Sequence, residues 1–253
     1  MDRLTANFYP ASEPKPYEGG VYVGKANITI ANAMRLNDIS VFLSDAGKLS
    51  INFPEYESGG EKKSFVIPKS KEAYAAMCSV VEKARESEQG FAFTQGTYNP
   101  TMTARGGLVN EPFADGRFGV EVGDICTIVG LTTRKASYTV DNEEKHFVAV
   151  DLPNIIGQDG KPSTYEKDGK TMYNKVFEPC VSSWTDTEGH KRSKDFGRTL
   201  TGAVLKCRKE LLEKEASKEQ AAPEKKAEPK QRQASKTTKA KKTGKAKEPE
   251  MSM

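Results

Sequence analysis

The sequence predicts an α+β protein: two repeats of a small antiparallel sheet plus one C-terminal helix, forming a pseudo-dimer, with a disordered basic tail. Three observations predict it. A short pattern and its downstream neighbours recur at one fixed offset. Apolar residues alternate through the early part of each copy and then fall at helical spacing. The end of the 253-residue chain loses its large apolar residues while gaining lysine.

Residues 1–19 are read as an N-terminal arm and residues 20–90 as the first repeat. Within it Val21 and Val23 share one strand face, and Ala26, Ile28 and Ile30 share the other parity. Gly24 between them suggests a bulge, repeated at Gly123. Ile39, Val41 and Leu43 alternate, as do Leu49, Ile51 and Phe53. Pro68 cannot lie inside a helix, and Ser70 suits an N-cap. Tyr74, Met77, Cys78 and Val81 then follow at i, i+3, i+4 and i+7. Residues 91–117 form a connector with a short strand at Phe91-Ala92-Phe93. Residues 118–215 are the second repeat, whose helix stripe is Leu200, Ala203, Val204, Cys207 and Leu211.

The duplication rests on matches in one order. Gly20-Val21-Tyr22-Val23-Gly24 recurs as Gly119-Val120-Glu121-Val122-Gly123, and 119 less 20 is an offset of 99. At that offset Ile28-Thr29-Ile30 lies over Thr127-Ile128-Val129. Leu49-Ser50-Ile51-Asn52-Phe53-Pro54 lies over Val148-Ala149-Val150-Asp151-Leu152-Pro153. One such match is chance; three in series mark a repeat. Beyond the prolines, Phe65-Val66-Ile67-Pro68 resembles Val176-Phe177-Glu178-Pro179. The turn-rich stretch from Gly157 to Gly169 reads as a lengthened hairpin, and a second insertion runs from Cys180 to about Lys194.

Charge and composition bound the function. From Ser217 onward ten Lys and one Arg face five Glu, a surplus of 6, which leaves about −2 of the net +4 for the rest of the chain. The tail, residues 216–253, cannot bury enough apolar surface to offset its ordering entropy and is expected to stay disordered. It suits either phosphate attraction or simple solubilisation. Cys78, Cys126, Cys180 and Cys207 lack ligand spacing, and His146 and His190 are the only histidines, so no metal or other cofactor is expected. No apolar run is long enough to cross a membrane, and the N-terminus lacks a secretory pattern, so a cytoplasmic protein is expected.

Gly24-Lys25-Ala26-Asn27-Ile28-Thr29-Ile30, Asp38-Ile39-Ser40-Val41, Gly47-Lys48-Leu49-Ser50-Ile51-Asn52-Phe53-Pro54, and Phe65-Val66-Ile67-Pro68 before a helix together resemble the stage V sporulation protein G (septation protein) family. The resemblance covers residues 20–87 and, through the repeat, 118–213 more weakly. It implies a cytoplasmic regulator that binds DNA and sometimes RNA, influences gene expression and cell division, and in its single-copy form is dimeric.

The expected contact surface is the entry to each helix. His190, Lys191, Arg192 and Lys194 precede the second helix, and Arg198 lies in its first turn; Lys62, Lys63, Lys69 and Lys71 occupy the comparable place in the first repeat. Exposed N–H groups at a helix start favour anions, and basic side chains there run against the helix dipole, which hints at function. Trp184 and Tyr56 lie near these basic stretches in sequence, where they could stack on unpaired bases, and Trp184 suits a core or lid position equally well. No phosphate-cradling glycine loop, triad spacing or paired carboxylate appears, so no enzyme is expected. The alternative is a protein-interaction module with no nucleic-acid ligand, using exposed sheet edges, which would also serve self-association.

Overall fold

The computed structural model describes residues 2–96, 100–106, 117–157, 159–185 and 188–221. The fold mixes α and β structure. Every strand pairing among the described residues is antiparallel, and the second of two helices is C-terminal. The first sheet is built on β1 (Leu4–Tyr17), β2 (Gly20–Ile30) and β3 (Met34–Ser44). β4 (Leu49–Asn52) pairs with β3. β5 (Glu55–Ser58) and β6 (Glu61–Ser64) form a hairpin leading to β7 (Val66–Pro68) and to α1 (Lys71–Glu86). β8 (Phe91–Phe93) returns to the free edge of β1. The second sheet comprises β9 (Met102–Gly106), β10 (Phe118–Val122), β11 (Cys126–Val140) and β12 (Glu143–Asp151). A hairpin of β13 (Thr164–Lys167) and β14 (Lys170–Tyr173), the strand β15 (Phe177–Pro179) and a hairpin of β16 (Val181–Thr185) and β17 (Lys191–Asp195) precede α2 (Phe196–Ala221).

Alternation explains the sheets. Ala26, Ile28 and Ile30 of β2 and Met34, Leu36, Ile39 and Val41 of β3 are buried, while Lys25, Asn27 and Arg35 face outward. Parity changes between Leu36 and Ile39 because Asn37 and Asp38 together oppose Asn27, a bulge that puts Asp38 at φ 59°. Ser70 caps α1 as expected, its Oγ accepting from the Ala73 N–H at 3.1 Å. Met77 and Val81 are buried as the stripe requires. The core face also takes Ala73, Val80 and Ala84, leaving Tyr74 and Cys78 at its margin. There the Tyr74 hydroxyl both donates to and accepts from the Ile51 backbone. α2 buries Leu200 and Val204, and its residues beyond Leu211 that are described lie exposed.

The two sheets share one hydrophobic core, and each receives a short strand from the other half of the chain. β7 pairs with β11, and β15 with β3. The surrounding backbone bonds come in matched sets. The Phe65 and Val176 N–H groups donate to Pro54 and Pro153 at 3.0 Å; Val129 and Asn37 donate back to Phe65 and Val176; Lys69 and Cys180 donate to Ile125 and Ala33. Bulges also match, since Gly130 at φ 91° stands in β11 where Asp38 stands in β3.

This pattern corrects three expectations. Residues 4–17 are not an arm but the strand β1, hydrogen-bonded between β2 and β8, with Leu4 and Ala6 in the core. The prolines that obscure it lie at and beyond Pro10, where the β1–β2 register breaks. The connector 91–117 likewise supplies β8, as foreseen, and also β9. The pentapeptide match is displaced as well: Gly24 sits at a bulge within β2, whereas Gly123 turns the chain between β10 and β11 at φ 54°, the place of Ala31 at φ 47°. The ladder equates Ile30–Met34 with Val122–Cys126, an offset of 122 less 30, or 92. The offset returns to 99 at β4 and β12, since Ser40 pairs with Asn52 and Thr132 with Asp151. The seven-residue difference is absorbed by the longer β11–β12 ribbon.

Candidate nucleic-acid interface

The structure distributes the expected basic residues unevenly. Lys62 and Lys63 lie on β6, with Lys62 opposite Glu57 and Lys63 3.8 Å from Glu61. That hairpin therefore carries its own acids. Lys69 reaches across to the second sheet, where its ammonium donates to Glu121 at 2.8 Å and to the Gly123 carbonyl at 2.9 Å. This bond holds the Glu121 carboxyl below its ordinary pKa, aided by the nearby charges of Lys69 and Arg105 against a smaller effect of burial. Lys71 opens α1 on the surface, beside Glu72.

In the second half the cations gather on one ribbon. Lys191 and Arg192 are exposed on β17, and β16 opposite them contributes Val181, Ser182, Ser183, Trp184 and Thr185, none of them acidic. His190 lies at the ribbon's turn, 3.4 Å from Glu188. Lys194 is half-buried with its ammonium 4.7 Å over the ring of the fully buried Phe196. Arg198, 90% exposed, pairs with Asp195 at 3.3 Å. The ribbon is anchored by Ser182, whose hydroxyl donates to the Asn32 carbonyl at 2.6 Å. The Trp184 side chain lies outside the described residues, as does the tail from residue 222; Tyr56 stacks on Phe65 at 4.7 Å rather than standing free for a base.

The entry to α2 is closed from within the chain, and that of α1 is capped by one side chain. Asp195 accepts from the Gly197 and Arg198 N–H groups at 2.9 and 3.4 Å, and Ser70 serves α1. At α2, therefore, any anion contact rests on side chains, and the expected N-terminal anion site is already filled by Asp195.

A cleft of about 490 Å³, not foreseen from sequence, lies on the outer face of the first sheet beneath the β13–β14 hairpin. Lys25, Asn27 and Arg35 form its floor, with Tyr9 beside them and Tyr165 and Lys175 opposite. Lys25 pairs with Asp38, and Arg35 with Glu178. Lys175 donates to the Leu152 carbonyl at 3.3 Å, and burial pushes its ammonium below the ordinary lysine pKa. The only sequence signal was the polar parity of β2, which any solvent-facing strand shares. Among the described residues no helix is long and apolar enough to cross a membrane, and no cluster of His, Cys, Asp and Glu suits a metal. Comparison with protein-family models, with curated proteins and with solved structures finds no match to this chain.

Proposed function

We propose that the chain is a non-catalytic, cytoplasmic nucleic-acid-binding regulator resembling the septation proteins, its two halves a duplicated module fused into a pseudo-dimer. The observation that carries the ligand is the β16–β17 ribbon, which holds Lys191 and Arg192 exposed on β17 and leads into α2, where Arg198 lies exposed in the first turn. Such a surface attracts phosphates without demanding a base sequence, through release of the counterions they hold. The matched backbone bonds of β7 and β15 support the duplication. In this reading each half completes the other's sheet, as subunits of a strand-exchanged dimer do. The Lys-rich tail adds an unspecific attraction of the same kind.

Fluorescence-polarisation titrations of the full chain against duplex and single-stranded probes, in rising salt, test this reading. Expected is binding that weakens steeply with salt and persists, with lower affinity, after deletion of residues 222–253. Absence of binding at low salt refutes it and favours a protein-interaction module. Binding that vanishes with the tail removes the folded part as the reader.

A further inference from the structure

The cleft on the first sheet has a counterpart position in the second half, and the two are built differently. The ladder equates Lys25 with Arg117, Asn27 with Gly119 and Asp38 with Gly130. The shared bonds to Pro54 and Pro153 equate Phe65 with Val176 and, two residues beyond the prolines, Tyr56 with Ile155. In the second sheet the face is roofed: the Phe65 ring would stand 2.7 Å from a Cβ on Gly130, Tyr56 packs on Phe65, and the Arg117 guanidinium lies 5.1 Å over Tyr56. In the first sheet both roofing rings are replaced by smaller aliphatic residues, and both glycines beneath by polar ones. The consequence is an open polar cleft where the other half is closed by aromatic packing.

We propose that this cleft binds one nucleotide unit, either a free nucleoside monophosphate or an unstacked residue of a strand. Its lining shares no residue with the β16–β17 ribbon, so it stands or falls separately from the polyanion surface proposed there. About 490 Å³ falls within the ordinary range of small-ligand sites. Tyr9 and Tyr165, 53% and 41% exposed, offer ring faces to a base. Lys25 and Arg35 pair with Asp38 and Glu178, and Lys175 is the cation beyond those pairs. Lys175 donates to the Leu152 carbonyl and to Asn154 Oδ1, so a phosphate would engage these ammonium and guanidinium groups by sharing them with their present partners. The two carboxylates suit ribose hydroxyls or exocyclic amino groups.

The test uses the full chain with two substitutions. Tyr165→Ala removes a half-exposed ring, and Ile155→Tyr restores the ring that closes the other half. Calorimetric titration with AMP, and polarisation with a labelled single-stranded oligonucleotide, are compared with the wild type, with thermal melting as the control for folding. Expected is a loss of about tenfold or more in affinity for at least one probe in both variants, with melting retained. A loss confined to AMP identifies a free nucleotide, and one confined to the oligonucleotide identifies a strand residue. If both variants melt normally and neither probe's affinity changes, the proposal is wrong. Should either variant fail to melt cooperatively, Asn27→Ala, an outward-facing change on β2, takes its place: a tenfold loss for either probe supports the cleft, and two unchanged affinities overturn it.

Discussion

Phe177→Ala tests whether the strand received from the second half is integral to the first sheet. Phe177 is fully buried on β15, paired with Leu36 of β3 and placed in the core common to both sheets. Truncating a buried phenylalanine removes its transfer free energy and leaves a cavity, together about 3–5 kcal/mol. A domain's whole stability is about 5–15 kcal/mol, so the variant should lose about a fifth or more of it. Urea unfolding followed by circular dichroism reads the loss as a lowered midpoint at unchanged slope. The site-resolved assay is amide exchange at Asn37, whose N–H donates to Val176 at 2.8 Å from the other half of the chain. Its protection should fall with that of Lys69 and Val129 at the opposite exchange, because one core loses the stabilisation. Ile67→Ala, at a position 51% exposed on β7, is the control and should cost no more than about 0.5 kcal/mol. If Phe177→Ala loosens only residues 118–221 and leaves exchange at Asn37 unaltered, the halves fold independently and strand exchange does not join them.

Replacing Lys191 and Arg192 with alanine should lower the log–log salt slope for duplex DNA by about 1.8 in polarisation titrations, because two phosphates are no longer neutralised. Adding Lys194→Ala should change the slope little, because that ammonium sits on the Phe196 ring; an unchanged slope in the double variant removes the ribbon from the interface. The depressed Glu121 carboxyl contributes stability that is present above the ordinary glutamate pKa and lost as pH falls through the lower folded value. Glu121→Gln should therefore flatten the acid side of the stability–pH curve, by less than about 1 kcal/mol for a solvent-screened pair; an identical acid limb would contradict the Lys69 bridge. Burial pushes the Cys126 thiol up to about 12 and raises Cys78, Cys180 and Cys207 in the same direction. The folded chain should react slowly with a thiol reagent near neutral pH, Cys126 last, and denaturant should release all four; rapid labelling of native Cys126 would refute its burial.

Local chemistry was the legible part of this fold. Ser70 as a cap, the Phe91–Phe93 strand, the bulge at Gly24 and both helix stripes follow from interactions among near neighbours, which sequence spacing records directly. Register was not legible, because a seven-residue lengthening of the β11–β12 ribbon is offset elsewhere, and the glycine pentapeptides match in letters while lying at a bulge and a turn. β1 was hidden because its prolines crowd the outer half, where pairing is already irregular. Of the expected contact residues, Lys191, Arg192 and Arg198 could be recognised as basic. That Lys69 is engaged by Glu121, and that Asp195 already occupies the α2 entry, depends on contacts distant in sequence or on backbone direction.

If the halves are the fused duplicate proposed above, covalent linkage has a consequence that separate subunits lack. A homodimer must carry every insertion and every substitution twice, so a cleft opened on one face opens on both. Here the second half alone gains the β16–β17 ribbon and the extended β11–β12 ribbon, and only the first sheet's face lies open where the other is roofed by Tyr56 and Phe65. Hydrophobic contacts and backbone bonds at the exchanged strands are kept in matched sets, while outward-facing residues diverge. Packing constrains the former because each buried side chain meets several neighbours, and solvent leaves the latter free. On that reading the molecule is a paired scaffold with unlike surfaces, the added ribbons and the open polar cleft each belonging to one half of a core common to both.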